Sequence, residues 1–146
     1  MAEEQLVTFS LGQEEFGVDI MKVQEIIHIP PITRVPKAPD YVEGVINLRG
    51  NIIPVVNLRK RFGMATEQDT ELSRIVVLQF DGKVFGVRVD AVTEVLRLDS
   101  QAIEPPVALG LDSHFIRGVG KIGERLLILL NIDRIMVGDE ENDQIA

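Results

Sequence analysis

The chain has no cysteine and no tryptophan, and only one tyrosine and two histidines among its 146 residues. Without cysteine there is no disulfide, no thiolate nucleophile and no zinc–cysteine site. Positive charge is also scarce. Fifteen Lys and Arg face 23 Asp and Glu, a formal net charge of −8 with a pI near 4.7. A surface of that sign is repelled by phosphate backbones, which counts against nucleic acid as a partner. Aromatic residues make up 5% of the chain and offer few platforms for stacking single-stranded bases. The longest apolar run, residues 126–130, is five residues long, against roughly 20 needed to cross a bilayer. Residues 1–5 are acidic and polar, unlike a secretory signal. Together these absences lead to the expectation of a soluble cytoplasmic protein.

What the sequence does contain is a repeat. Residues 6–27 align with 75–96 at an offset of 69, placing Phe16-Gly17-Val18 on Phe85-Gly86-Val87, Val7 on Val76, Val23 on Val92 and Glu25 on Glu94. Further on, Tyr41-Val42-Glu43-Gly44-Val45 meets Phe115-Ile116-Arg117-Gly118-Val119 and Asn57 meets Asn131, now at an offset of 74. The second copy therefore carries five extra residues in between. A repeat on this scale implies two similar folding units, each small for independent stability. The halves run over about 6–63 and 75–137, joined by the polar segment 66–73 and followed by an acidic tail, 139–146. The repeat need not mark the spatial boundary, because duplicated barrels can exchange strands.

Almost every apolar stretch reads as strand. Residues 6–11 and 15–20 bracket Gly12-Gln13-Glu14 as a hairpin, and 75–80 and 84–89 bracket Asp81-Gly82-Lys83, where Asp-Gly is the stronger turn signal. Residues 23–29 and 91–98 suit further strands. A loop rich in proline comes after the first of these, with Pro30, Pro31, Pro36 and Pro39, and is echoed by Pro105 and Pro106. Proline cannot donate to a ladder, so both loops belong at the surface. Residues 39–44 read as one helical turn, capped by Asp40 and ended by Gly44. Residues 45–48 and 52–57 form a hairpin around Arg49-Gly50-Asn51, echoed by 119–122 and 126–131. About five short strands per half, with no long helix, favour two small barrels over an extended sandwich.

Enzymatic motifs are weak. Gly118-Val119-Gly120-Lys121-Ile122-Gly123 matches a dinucleotide fingerprint, but residues 125–132 beyond it read as strand rather than as the helix that holds a pyrophosphate. His28 and His114 stand at non-equivalent positions without metal-ligand spacing. Ser10, Ser73, Ser100 and Ser113 lie at strand ends or in polar loops, so no Ser–His–Asp constellation is apparent. Arg59-Lys60-Arg61, the only basic cluster, reads as a solvated turn face. Glu25 is more informative, an acid in an otherwise apolar strand next to a hairpin tipped by Arg49. A half-buried carboxylate calls for a partner, and arginine offers a planar bidentate one. Two independent surface positions are the alternative. Val23, Val92 and Val95 would line either a protein-binding groove at the junction of the barrels or the inter-barrel core, and spacing does not separate the two. Two rival functions are a nucleic-acid-binding small barrel and a small enzyme using a carboxylate pair.

Four segments resemble one known family. Phe16-Gly17-Val18-Asp19-Ile20, Lys22-Val23-Gln24-Glu25-Ile26, Gly44-Val45-Ile46-Asn47-Leu48-Arg49-Gly50 and Ile53-Pro54-Val55-Val56-Asn57-Leu58-Arg59 are similar to CheW, the coupling proteins of bacterial chemotaxis. The likeness runs from about residue 6 to 137 and defines a CheW-like domain over 1–138. It implies an all-β fold of two tandem SH3-like five-stranded barrels. It also implies a non-enzymatic adaptor, without cofactor or metal, joining chemoreceptor cytoplasmic tips to the CheA histidine kinase, whose regulatory domain shares the fold. The implied receptor-binding groove falls on Val23, Glu25, Gly44, Arg49, Val92 and Val95. Kinase contacts fall on the loops near 29–35 and 104–109, represented by Ile32, Arg34, Glu104 and Leu109. The free protein is expected to be a monomer that binds no nucleic acid, does not insert into membranes and is recruited to membrane-associated receptor arrays.

Overall fold

The computed structural model describes residues 2–110 and 114–136. The acidic tail at 139–146, the end of the second half at 137 and Ser113 lie outside the described residues. Among the described residues eleven strands are formed: β1 (Glu3–Leu11), β2 (Glu14–Asp19), β3 (Val23–Ile27), β4 (Val42–Leu48), β5 (Asn51–Asn57), β6 (Arg74–Phe80), β7 (Lys83–Val89), β8 (Ala91–Asp99), β9 (Ile103–Glu104), β10 (Ile116–Ile122) and β11 (Arg125–Leu130). The longest α-helix among the described residues is α1 (Leu58–Arg61), which Asn57 caps by accepting the Lys60 N–H.

The chain divides into two compact units, Met1–Met21 with Thr93–Ala146, and Lys22–Val92. The second unit holds a sheet in the order β3-β6-β7-β5-β4. Its core is Ile46, Ile53, Val55, Ile75 and Val77. The first unit's sheet runs β8-β1-β2-β11-β10-β9, around Leu6, Leu98, Leu127 and Leu129. Apart from the two-residue β9, the orders correspond strand for strand. In each, a hairpin (β6–β7 or β1–β2) is joined in parallel to a second hairpin, through β5 to β7 or β11 to β2. The unit boundaries are not those of the repeat. Each unit takes its first hairpin from one copy and its other main strands from the other copy.

Local chemistry explains the turns. Arg49 and Gly50, at φ 51° and 89°, and Asp81 and Gly82, at φ 53° and 77°, place two successive residues in the left-handed region, as a two-residue hairpin turn requires. Central strands are buried on both faces. Ile75, Val76, Val77 and Leu78 are all fully buried, so β6 is a continuous apolar run rather than an alternating one. On β1 and β2, Phe9 and Phe16 are cross-strand partners whose rings stack at 5.7 Å.

Two expectations need correction. Residues 39–44 do not form a helical turn. A single bond from the Val42 N–H to the Pro39 carbonyl (2.9 Å) closes a tight turn, and Val42 already starts β4. Gly44 lies within that strand, beside a bulge at Glu43, rather than ending a turn. Arg59-Lys60-Arg61 is not a solvated face either, because Arg59 and Arg61 are buried. Arg59 grips Asp90 through two bonds of 3.1 and 2.5 Å, and the Arg61 guanidinium lies 4.0 Å from the Tyr41 ring centroid. The apparent dinucleotide motif is strand β10 and its turn. Gly118 leaves room for Ile103, and Gly120 for Leu98.

Candidate partner-binding site

Glu25 sits on β3, and the β4–β5 hairpin carries Arg49 at its tip. The turn is stapled by the Gly50 N–H, which donates to the Asn47 side chain at 2.8 Å. This fixes the Arg49 backbone and directs its guanidinium across to β3. Arg49 Nη1 donates to Glu25 Oε1 at 3.1 Å and Nη2 to Oε2, a bidentate pair. The hydrogen bond from Arg49 is the main reason the Glu25 carboxyl is held below its ordinary value, against the opposing effect of desolvation. The same bond raises Arg49 above its usual range. Glu25 is three-quarters covered, whereas Arg49 is 67% exposed. The pair therefore presents a neutralised, oriented polar feature to solvent. Exposed apolar side chains stand next to it in sequence: Ile26 beside Glu25, and Ile52, at 74% exposure, beyond Arg49 in the same hairpin. A fixed, exposed polar pair of this kind can set the orientation of a bound protein surface.

The other residues singled out from the sequence are dispersed. Val23 is half-buried on β3 and separated from Glu25 by a bulge at Gln24. Gly44 is buried, and a side chain there would collide with the Thr33 carbonyl oxygen, so this glycine shapes β4 rather than touching a ligand. Val92 belongs to the second unit and Val95, 56% exposed, to the first. Of the residues assigned to the kinase, Ile32 packs against the second unit's core and Arg34 is exposed. Glu104 is exposed on β9, paired to Val119, and Leu109 is exposed in the 3-10 turn Pro106–Leu109.

A second arginine–carboxylate constellation escaped the sequence reading. In the first unit Arg125 binds Glu15 bidentately at 3.1 and 3.0 Å and reaches Glu94, the repeat counterpart of Glu25, at 2.8 Å. Leu126, the counterpart of Ile52, is again exposed, at 61%. The repeat offset already placed Glu94 on Glu25. The arginine was missed because at the offset of 74 it falls on Asn51, so the repeat pairs it with no arginine of the first copy. A third cluster also went unread. Arg88 joins Glu43, at the β4 bulge, to Asp69 in the segment between the halves, while Asn57 donates to Glu43 at 2.6 Å. Burial works against the Arg88 charge, but its carboxylate partners raise it above the usual value overall.

The strand orders and the paired hairpins define a class of all-β proteins, double barrels of the SH3-like type. Residues 5–140 match the CheW-like domain family, and the chain belongs to it. Among its relatives, the chemotaxis protein CheW of Klebsiella aerogenes is 39% identical over 139 residues, covering 94% of this chain and 84% of that protein. The chemotaxis protein CheW of Rhizobium meliloti is 38% identical over 138 residues, covering 93% and 89%. The crystal structure of the scaffolding protein TtCheW from Thermoanaerobacter tengcongensis superposes with a TM-score of 0.83 at 39% identity, covering 89% of this chain and 90% of that one. The two barrels expected from the strand pattern are thus the observed fold.

Proposed function

We propose that the protein is a non-enzymatic chemotaxis scaffold that couples chemoreceptor cytoplasmic tips to a CheA-type histidine kinase within a membrane-associated array. Family membership supports the scaffold role, and the observation that carries the receptor face is the bidentate Glu25–Arg49 pair, held in one orientation at the surface of the second unit. On this reading a receptor helix buries apolar side chains against that surface, with Val23 contributing directly and Gly44 through the shape of β4. The places of Val92 and Val95 in the same face come from the family resemblance. Kinase contacts are assigned to the loops holding Ile32 and Arg34, and Glu104 and Leu109. No helix among the described residues is long and apolar enough to cross a membrane, which suits a protein recruited to an array by its partners. Contacts of micromolar strength suffice when many are linked in an array.

The test is titration calorimetry against a purified receptor cytoplasmic fragment and, separately, a CheA-type kinase. Arg49→Glu should weaken receptor binding at least about tenfold, because it sets a second acid against Glu25, while kinase affinity stays within about twofold. Circular dichroism establishes that the variant is folded. Full receptor affinity in a folded Arg49→Glu protein would sink the assignment of this face.

A further inference from the structure

The loop between β3 and β4 borders a cavity of about 540 Å³ on the second unit, lined by Arg34, Lys37, Asp40, Glu43 and Lys60 among others. Most arginines of this chain are already engaged. Arg49, Arg59, Arg88, Arg117 and Arg125 hold carboxylates, and Arg61 lies over Tyr41. The side chains of Arg34, Lys37 and Lys60 have no hydrogen bond or ion pair among the described residues. Of the two acids at the cavity, Glu43 is taken by Arg88 and Asn57, which leaves Asp40 against three unpaired cations. A molecule with a formal charge of −8 therefore carries a local positive site.

We propose that this cavity is a docking site for an acidic, extended peptide segment of a partner protein. Charge complementarity is the first argument. Much of a surface of this sign repels such a segment, so encounters are steered to the positive site and oriented there. The second argument distinguishes a peptide from a small phosphate. Phosphate cradles are built from converging backbone N–H groups, and prolines at 36 and 39 remove donors from this wall. Val35, Pro36, Ala38 and Pro39 offer instead apolar contact for the methylene stems of Glu side chains, on a loop whose prolines limit the entropy lost on binding. The third argument is rigidity. Thr33, just before the loop's cavity segment, is pinned to β4 by two bonds with Val45 of 2.9 and 2.8 Å. The site shares Arg34 with the loop assigned above to the kinase, but it rests on the cavity's charge and shape and not on that assignment.

The experiment titrates the full-length, ¹⁵N-labelled protein with a fluorescein-labelled peptide of alternating Asp and Glu, read by anisotropy and by amide shifts. The expected result is saturable binding that weakens as salt is added, with shifts centred on residues 34–40 and Lys60. Reversing Arg34, Lys37 and Lys60 together to Glu should weaken binding at least about tenfold. Inorganic phosphate at matched ionic strength should reproduce neither the shifts nor the competition. The proposal is overturned by non-saturable binding, by shifts centred elsewhere, or by phosphate displacing the peptide, which would mark a simple anion site. Mapping on the unmodified protein keeps the test decisive even if the triple variant folds poorly.

Discussion

Among single residues, the arginines show what a linear reading can and cannot reach. Glu25 and Arg49 were legible because each is anomalous in its own segment, one an acid within an apolar strand and the other a cation in a turn. Arg59 and Arg61 were not legible. Three consecutive basic residues look solvated, and the partner that buries Arg59 lies 31 residues away, at Asp90. The Glu25–Arg49 pair also makes a pH prediction. The folded-state carboxyl of Glu25 lies below its ordinary value, so the pair's stabilisation is present above the ordinary glutamate range and fades as pH falls through the lowered value. A carbon-detected NMR titration should find Glu25 titrating low in the unmodified protein and higher in Arg49→Gln. The difference in urea midpoint between the two proteins should shrink as the pH is lowered through that window. If Arg49→Gln leaves the Glu25 titration unmoved, the hydrogen bond is not the cause.

For elements, the strands were readable and the local irregularities were not. Hairpins announce themselves through Asp-Gly flanked by apolar arms, since glycine relieves the steric cost of positive φ. A bulge leaves no such mark, because one residue out of register looks like any other residue in a strand. Gly44 therefore reads in sequence as the end of a turn. Its φ of 152° and its closeness to the Thr33 carbonyl make it essential to β4. Gly44→Ala should cost about 2–4 kcal/mol, combining backbone strain with overpacking. Gly63, at φ 74° with open space around it, is the control, and Gly63→Ala should cost only about 1–2 kcal/mol. Urea unfolding monitored by circular dichroism measures both. Equal midpoints would remove the steric argument for Gly44.

The whole molecule interleaves its two repeats. Each compact unit needs strands from both copies, so cutting between the halves separates β1 and β2 from β8, β10 and β11. Fragments 1–68 and 69–146 should each lack a cooperative unfolding transition, yet regain β-sheet circular dichroism and a single elution peak when mixed. A cooperative melt from either fragment alone would contradict the interleaved arrangement. What the sequence determined by itself was everything carried by short-range pattern: the strands, the tight turns, the duplication, the acid in β3 and the arginine at the neighbouring tip, and the resemblance that led to the family. Those features depend on steric preferences and burial periodicity within a few residues of one another. The tertiary structure alone decided which copy lends its strands to which unit, which cations are engaged and which stay free, and where a glycine is needed for room rather than for a turn. These outcomes depend on side chains brought together across tens of residues, and two similar repeats offer nearly the same local pattern for either pairing.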